Sequence, residues 1–203
     1  MSATATATST LGKFVWREHM TRDVAASKAF YGGLFGWRFE EAPMDGFTYT
    51  LVYAGEKQIA GMMDINAMGD DAMKAHMPSH WGVYVAVDDV DAAAQRAKDA
   101  GGQVMVGPMD IPRVGRFAVV QDPQGATLFV YKNLDGDGAD DRASHGEFCW
   151  ESLTTSSAAG ALDFYTKVVG WTVEYMEAGG MKTALHPRRR ELGRERGAAA
   201  GLS

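Results

Sequence analysis

Apolar and polar positions alternate through "KFVWREHM" (13–20), with Phe14, Trp16, Glu18 and Met20 on one side and Val15, Arg17 and His19 on the other. That period of two predicts a strand. The period then changes: in "DVAASKAFYGGLFGW" Val24, Ala25, Ala29, Phe30 and Leu34 recur at helical spacing behind Asp23, a favourable N-cap. Three strands follow, "WRFEEA", "FTYTLVYA" and "KQIAGMMDI", broken by "PMDG" and "GEK". The same βαβββ order returns at His80. "HWGVYVAV" reads as a strand, and "DDVDAAAQRAKDAGG" as a helix capped by Asp88 or Asp89 and stopped at Gly101 and Gly102. "QVMVGPM", "RFAVVQD" and "GATLFVYK" complete the second unit, with a "DPQG" turn before the last strand.

These two modules, 12–66 and 80–132, predict one complete domain over 12–133 behind a disordered polar tail, 1–11. Next comes the Gly/Asp-rich stretch "NLDGDGADDRASHG", read as a linker over 134–145. It lacks the glutamate of an EF-hand loop, so it reads as a solvated connector. Beyond it the chain repeats itself at an offset of 134 residues. Residues 12–41 align without gaps to 146–175, matching Phe14 with Phe148, Trp16 with Trp150, Phe30 with Phe164, Tyr31 with Tyr165, Gly36 with Gly170 and Trp37 with Trp171. Aromatic residues held in register over that distance predict a second domain of the same kind. It is incomplete, 146–178, because the sequence then turns into an atypical arginine-rich tail, 179–203, including "PRRRELGRERG". A truncation or a changed reading frame near residue 181 would explain the loss of pattern; a regulatory tail is the alternative. The strand edge left unpaired there favours disorder or a homodimer through the incomplete second domain.

Composition narrows the function classes. The chain has 203 residues, 46% hydrophobic and 23% charged, the balance of a globular protein with a real core. No run approaches the roughly 18 apolar residues that would cross a bilayer. The formal net charge of −6 gives no reason to bind nucleic acid or an anionic membrane. A single cysteine, Cys149, excludes an intrachain disulfide framework and fits the cytoplasm, as does an N-terminus without the features of a secretory signal.

The paired modules, with "DVAASKAFYGGLFGW" in the first and "VDDVDAAAQRAKDAGG" and "DPQGATLFVY" in the second, resemble the vicinal oxygen chelate superfamily of glyoxalases, extradiol dioxygenases and bleomycin and fosfomycin resistance proteins. The resemblance is greatest to tandem-domain, glyoxalase-like bacterial proteins. It implies an α+β fold in which eight strands form a cupped mixed sheet around a ligand. In the metalloenzyme members, His, Gln or Glu on the first strand of each module and Glu on the last hold a divalent ion. Carried onto this chain, the first-strand positions fall on Trp16 and Gly82 and one last-strand position on Phe129. The remaining position lies near Gly61 to Met63, with Asp64 at the strand end as its one donor. Trp, Gly and Phe cannot ligate a cation, so a divalent metal is not supported at these positions and no other cofactor is implied.

If Trp16 faces the cup, Glu18 does too, and His19 faces away from it toward the surface or a helix. A carboxylate against aromatic walls has its pKa raised and serves as a base or a hydrogen-bond anchor. The alternative is a solvated Glu18 paired with Arg17 or Arg22. Trp16, Glu18, Gly82, Tyr84, Thr127, Phe129 and Tyr131 together make the candidate ligand-binding set, with Glu18 as the catalytic candidate; aromatics that simply fill the core are the competing reading. His76 and His80, around "MPS", form a weaker metal candidate. Met62, Met63, Met68, Met73 and Met77 supply either an adaptable apolar wall or core filling. The expectation is a protein that binds a small aromatic or apolar molecule. The alternatives are a glyoxalase- or dioxygenase-type enzyme (lyase, isomerase or oxidoreductase) using Glu18 or a displaced metal, and an assembly protein.

Overall fold

A computed structural model describes residues 11–44, 46–69, 71–134, 143–178 and 181–185. The expected tail over 1–10, the heart of the linker (135–142) and the arginine-rich end (186–203) lie outside them. The first module is β1 (Phe14–Thr21), α1 (Val24–Phe35), β2 (Arg38–Met44), β3 (Phe47–Ala54) and β4 (Lys57–Asp64). A short 3-10 turn (Ile65–Ala67) and α2 (Asp71–His76) lead to the second. It comprises β5 (His80–Ala86), α3 (Val90–Asp99), β6 (Gln103–Ile111), β7 (Gly115–Gln121) and β8 (Thr127–Asn133). The paired βαβββ modules read from the pattern are present, and the fold is α+β.

Local chemistry explains the helix ends. The Asp23 carboxylate accepts from Ala26 N at 2.8 Å at the start of α1, and Gly36 ends it at φ +69°, with its N–H on Gly32 O. That left-handed turn costs glycine nothing and other residues about 1 kcal/mol. Asp89 caps α3 in the same way, accepting from Ala92 N.

All eight strands join one mixed sheet in the order β2-β3-β4-β1-β5-β8-β7-β6. Each module pairs its first strand in parallel with its last, β1 with β4 and β5 with β8. The modules meet through the antiparallel pair β1 and β5, where Trp16 faces Tyr84 and Glu18 faces Gly82. Strand alternation then gives the sheet two distinct faces. One carries His19, Trp81, Val85 and Val130 and is covered by the helices: the Tyr31 ring of α1 meets Trp81, and α3 packs on β6, β7 and β8. The other carries Glu18, Tyr84, Phe129 and Tyr131. There Ile65, Met68 and Met77, from the segment between modules, pack on Met20 and its aromatic neighbours.

Residues 143–170 group with the two modules, because the contacts divide after Gly170 and not in the linker. Residues 147–156 pair with no strand among the described residues, so this part of the repeat does not reproduce β1. Phe148 instead enters the ring cluster of Trp37 and Trp81, Trp37 Nε1 donates to Gly146 O at 2.7 Å, and Arg17 pairs with Glu151. The helix of the repeat does form: α4 (Ala158–Val169) is capped by Ser157 and ends at Gly170, φ +72°, as α1 ends at Gly36. It packs on α3. Trp37→Phe removes the bond to Gly146 O from a buried ring, and is expected to lower unfolding stability by about 1 kcal/mol, read by urea denaturation.

The second unit, from Trp171, contains an antiparallel hairpin of β9 (Glu174–Ala178) and β10 (Met181–Leu185). No helix among the described residues is long and apolar enough to cross a membrane.

Candidate functional site

Two strands, β1 and β3, bring three polar side chains together across β4. Glu18 sits mid-strand on β1, flanked by Gly61 on β4 and Gly82 on β5. Neither neighbour has a side chain, and each vacancy is filled from the next strand out. A Cβ on Gly61 would lie 1.6 Å from the Tyr49 hydroxyl, and one on Gly82 would lie 2.7 Å from the Phe129 ring. Tyr49, on β3, thus reaches across β4 to β1. Its hydroxyl donates to Glu18 Oε2 at 2.7 Å and accepts from Trp16 Nε1 at 3.2 Å.

The chain Trp16 to Tyr49 to Glu18 ends on an unmatched atom. Glu18 is 3% exposed, and its Oε1 is buried without a hydrogen-bond partner. Burial raises its pKa from the usual carboxylate value to about 7, against the opposing effect of the Tyr49 hydrogen bond and of the nearby Trp16 N–H. Burial and the nearby carboxylate also hold the Tyr49 and Tyr84 hydroxyls well above the normal phenol value. Near neutral pH, Glu18 therefore exists in both protonation states, one able to donate and one able to accept, while both tyrosines remain neutral donors.

The walls are aromatic. Tyr84 stacks on Phe129 with centroids 4.3 Å apart and meets Tyr131 edge-on at 5.8 Å. Half-buried Trp16, Phe117 and Val119 pack around them.

Of the sequence-predicted set, Trp16, Glu18, Gly82, Tyr84, Phe129 and Tyr131 share this face, whereas Thr127 is exposed at the start of β8. Gly82 contributes space, which the Phe129 ring occupies. Glu18 pairs with neither Arg17, which engages Glu151, nor Arg22, which caps the carbonyls of Lys74 and Met77. His19 lies on the helix face as a buried residue, between Ser27 Oγ and His80 O and stacked on Trp81 at 4.7 Å. Burial pushes its pKa down. His76 closes α2 and His80 opens β5, with its ring nitrogen against Pro78 O. Met62 is buried on the helix face, Met68 and Met77 pack near Met20, and the Met73 side chain is outside the described structure.

Tyr49 was not among the sequence candidates. Its signal was there: alternation in "FTYTLVYA" separates Tyr49 and Leu51 from Thr48, Thr50 and Val52, and a glycine on the adjacent strand leaves room for a long side chain to cross.

The donor set does not fit a divalent ion at the place the superfamily uses. Trp16, Gly82 and Phe129 offer no ligand, Asp64 Oδ1 is engaged by Asn66, and Glu18 is the lone carboxylate on its stretch of sheet. Among the described residues no three His, Cys, Asp or Glu side chains lie close enough to share a metal.

Comparison with known proteins agrees with the fold. The chain is 40% identical over 164 residues to "Putative glyoxylase CFP32" of Mycobacterium tuberculosis, covering 80% of this chain and 61% of that protein. It is 35% identical over 167 residues to "Anthracycline biosynthesis protein DnrV" of Streptomyces peucetius, covering 78% and 61%. The chain thus spans about three fifths of the length of these relatives. The solved Mn(II)-bound glyoxalase from Novosphingobium aromaticivorans shares the fold, with a TM-score of 0.53 and 18% identity, over 80% of this chain and 54% of that one. Residues 14–129 match the Glyoxalase/Bleomycin resistance protein/Dioxygenase superfamily. With that match spanning both modules, the chain belongs to this superfamily.

Proposed function

We propose that this chain binds a small, largely apolar or aromatic molecule against the Glu18 face, without a divalent metal at the superfamily's usual place. The observation that supports this is Glu18 Oε1, a carboxylate oxygen buried with no partner. Leaving such an atom unmatched costs about 1–3 kcal/mol, which a hydroxyl or N–H of a ligand would offset. The rings of Trp16, Tyr84, Phe117 and Phe129 supply the apolar contact, in the usual mixture of aromatic wall and few polar groups. A relative named for anthracycline biosynthesis makes a fused-ring aromatic a sensible first class to try.

A second reading rests on the Glu18 proton affinity near neutrality. A buried carboxyl with a pKa of about 7 is suited to take a proton from a carbon acid or to hand one to a developing oxyanion. Tyr49 would hold Oε2 while Oε1 exchanges the proton.

Native mass spectrometry of the full chain, with elemental analysis of the same sample, tests the first reading. An apolar molecule released on denaturation, with divalent metal well below one per chain, is the expected result. Stoichiometric metal whose removal abolishes ligand binding would overturn it. Glu18→Gln then separates the readings: loss of binding identifies an anchor, and retained binding with lost turnover identifies acid/base chemistry.

A further inference from the structure

The hydrogen bonds of the site run in one direction. An indole N–H donates and never accepts. Trp16 Nε1 donates to the Tyr49 hydroxyl at 3.2 Å, so the phenol's own proton is turned toward Glu18 Oε2, 2.7 Å away. Oε2 is then an acceptor whether or not Glu18 is ionised. A carbonyl oxygen fills that part better than an acid hydroxyl oxygen, so in the neutral acid the carbonyl stands at Oε2 and the O–H at Oε1. Oε1 is buried and has no hydrogen-bond partner among the described residues.

We infer, on the ligand-binding reading proposed above, that Trp16 is a positioning residue that confines the Glu18 proton to Oε1 through Tyr49, and that the ligand meets Oε1 with a hydroxyl on an aromatic ring. Oε1 is a donor in one state of Glu18 and an acceptor in the other. A carbonyl matches only the first and an N–H only the second, whereas a hydroxyl accepts from the acid and donates to the carboxylate. Glu18 holds both states near neutrality, so the hydroxyl is the group that leaves Oε1 matched throughout. The titratable groups facing Glu18 do not disturb this exchange. Tyr49 from β3 and Tyr84 from β5 keep their protons, Tyr131 on β8 lies beyond Tyr84, and β4 brings Gly61, which has no side chain. An aromatic bearer of the hydroxyl suits the stacked rings of Tyr84 and Phe129 and the Trp16 indole beside them.

Two measurements on the full chain test this. In the infrared difference spectrum of native protein minus Glu18→Gln at about pH 5.5, the Glu18 carbonyl stretch is expected at the lowered frequency of a hydrogen-bonded carbonyl. Tyr49→Phe and Trp16→Phe should each raise it, the first by removing the donor and the second by freeing Tyr49 to accept the acid proton from Oε2. Should Trp16→Phe not fold, Tyr49→Phe alone carries the infrared comparison. Equilibrium dialysis of naphthol, acetylnaphthalene and naphthylamine then reads the group that Oε1 takes. Between about pH 5.5 and 8.5, acetylnaphthalene should weaken about tenfold and naphthylamine tighten about tenfold, with naphthol bound most tightly and varying least. In Trp16→Phe both slopes should flatten, because Oε1 is then an acceptor in either state. An infrared band unmoved by both variants, slopes that persist in Trp16→Phe, or naphthol bound no better than the other two would each overturn the inference. Failure of all three to bind would overturn the ligand-binding reading and the choice of hydroxyl with it, whatever the infrared band shows.

Discussion

Glu18→Gln is expected to make the folded protein more stable at pH 8, by roughly 2 kcal/mol, and to flatten its stability against pH. The folded protein retains the Glu18 proton up to about pH 7, whereas the unfolded chain releases it near 4.5. Between those values the folded state binds more protons, so stability falls as pH rises through that window and stays lower above it. The total loss is roughly 3 kcal/mol. Glutamine keeps an acceptor for Tyr49 and cannot ionise, so it escapes this loss. Its amide N–H donors, standing where Oε1 has no partner, are unmatched in turn, which takes back about 1 kcal/mol of that gain. At pH 4 the advantage disappears, because native Glu18 is then protonated. Urea unfolding of both proteins at pH 4, 6 and 8 reads the effect. Parallel curves for native and variant protein would show that Glu18 is not buried as described.

Gly61→Ala is expected to cost about 3 kcal/mol, although it adds a single methyl group on a strand. That methyl would occupy the place of the Tyr49 hydroxyl, at 1.6 Å, with the phenol ring carbon behind it at 2.3 Å. Tyr49 must swing away, and Glu18 then loses its donor as well as its packing. The cost combines overpacking, typically 1–3 kcal/mol, with a second orphaned oxygen on a buried carboxyl. With its hydrogen bond gone, the Glu18 pKa rises further. If this account is correct, Gly61→Ala added to Tyr49→Ala costs almost nothing more, because the obstructing ring is already gone. A double variant as destabilised as the sum of the singles would place the damage elsewhere on β4.

The two modules were legible because each element carries its own local signal. Alternation marks the strands, and Asp23, Asp89 and the glycines after each helix mark where the helices begin and end. The six-residue α2 and the 3-10 turn were missed, being too short to show a period. The site was legible where it follows from one strand: the face of β1 gives Trp16 and Glu18 directly. Tyr49 depends on pairing register, with Leu51 opposite Gly61 and Gly61 opposite Glu18, and register is not written in β3 alone. Thr127 shows the converse. Alternation assigns it correctly to the face of Phe129, yet its place at the strand end leaves it in solvent. The repeat at 146–170 was visible in sequence, but its seat was not. With no partner strands of its own among the described residues, Phe148 completes the ring cluster of Trp37 and Trp81 instead.

The central claim is that Glu18 is a buried, neutral-range carboxyl with one unpartnered oxygen, on the face proposed to bind a ligand. The most direct measurement is a carbon-13 NMR titration of the Glu18 side-chain carboxyl in the full chain, assigned by its absence in Glu18→Gln. The account predicts a midpoint of about 7, moved on addition of a bound aromatic ligand. A midpoint near the ordinary 4.5, indifferent to any ligand that binds, would contradict it.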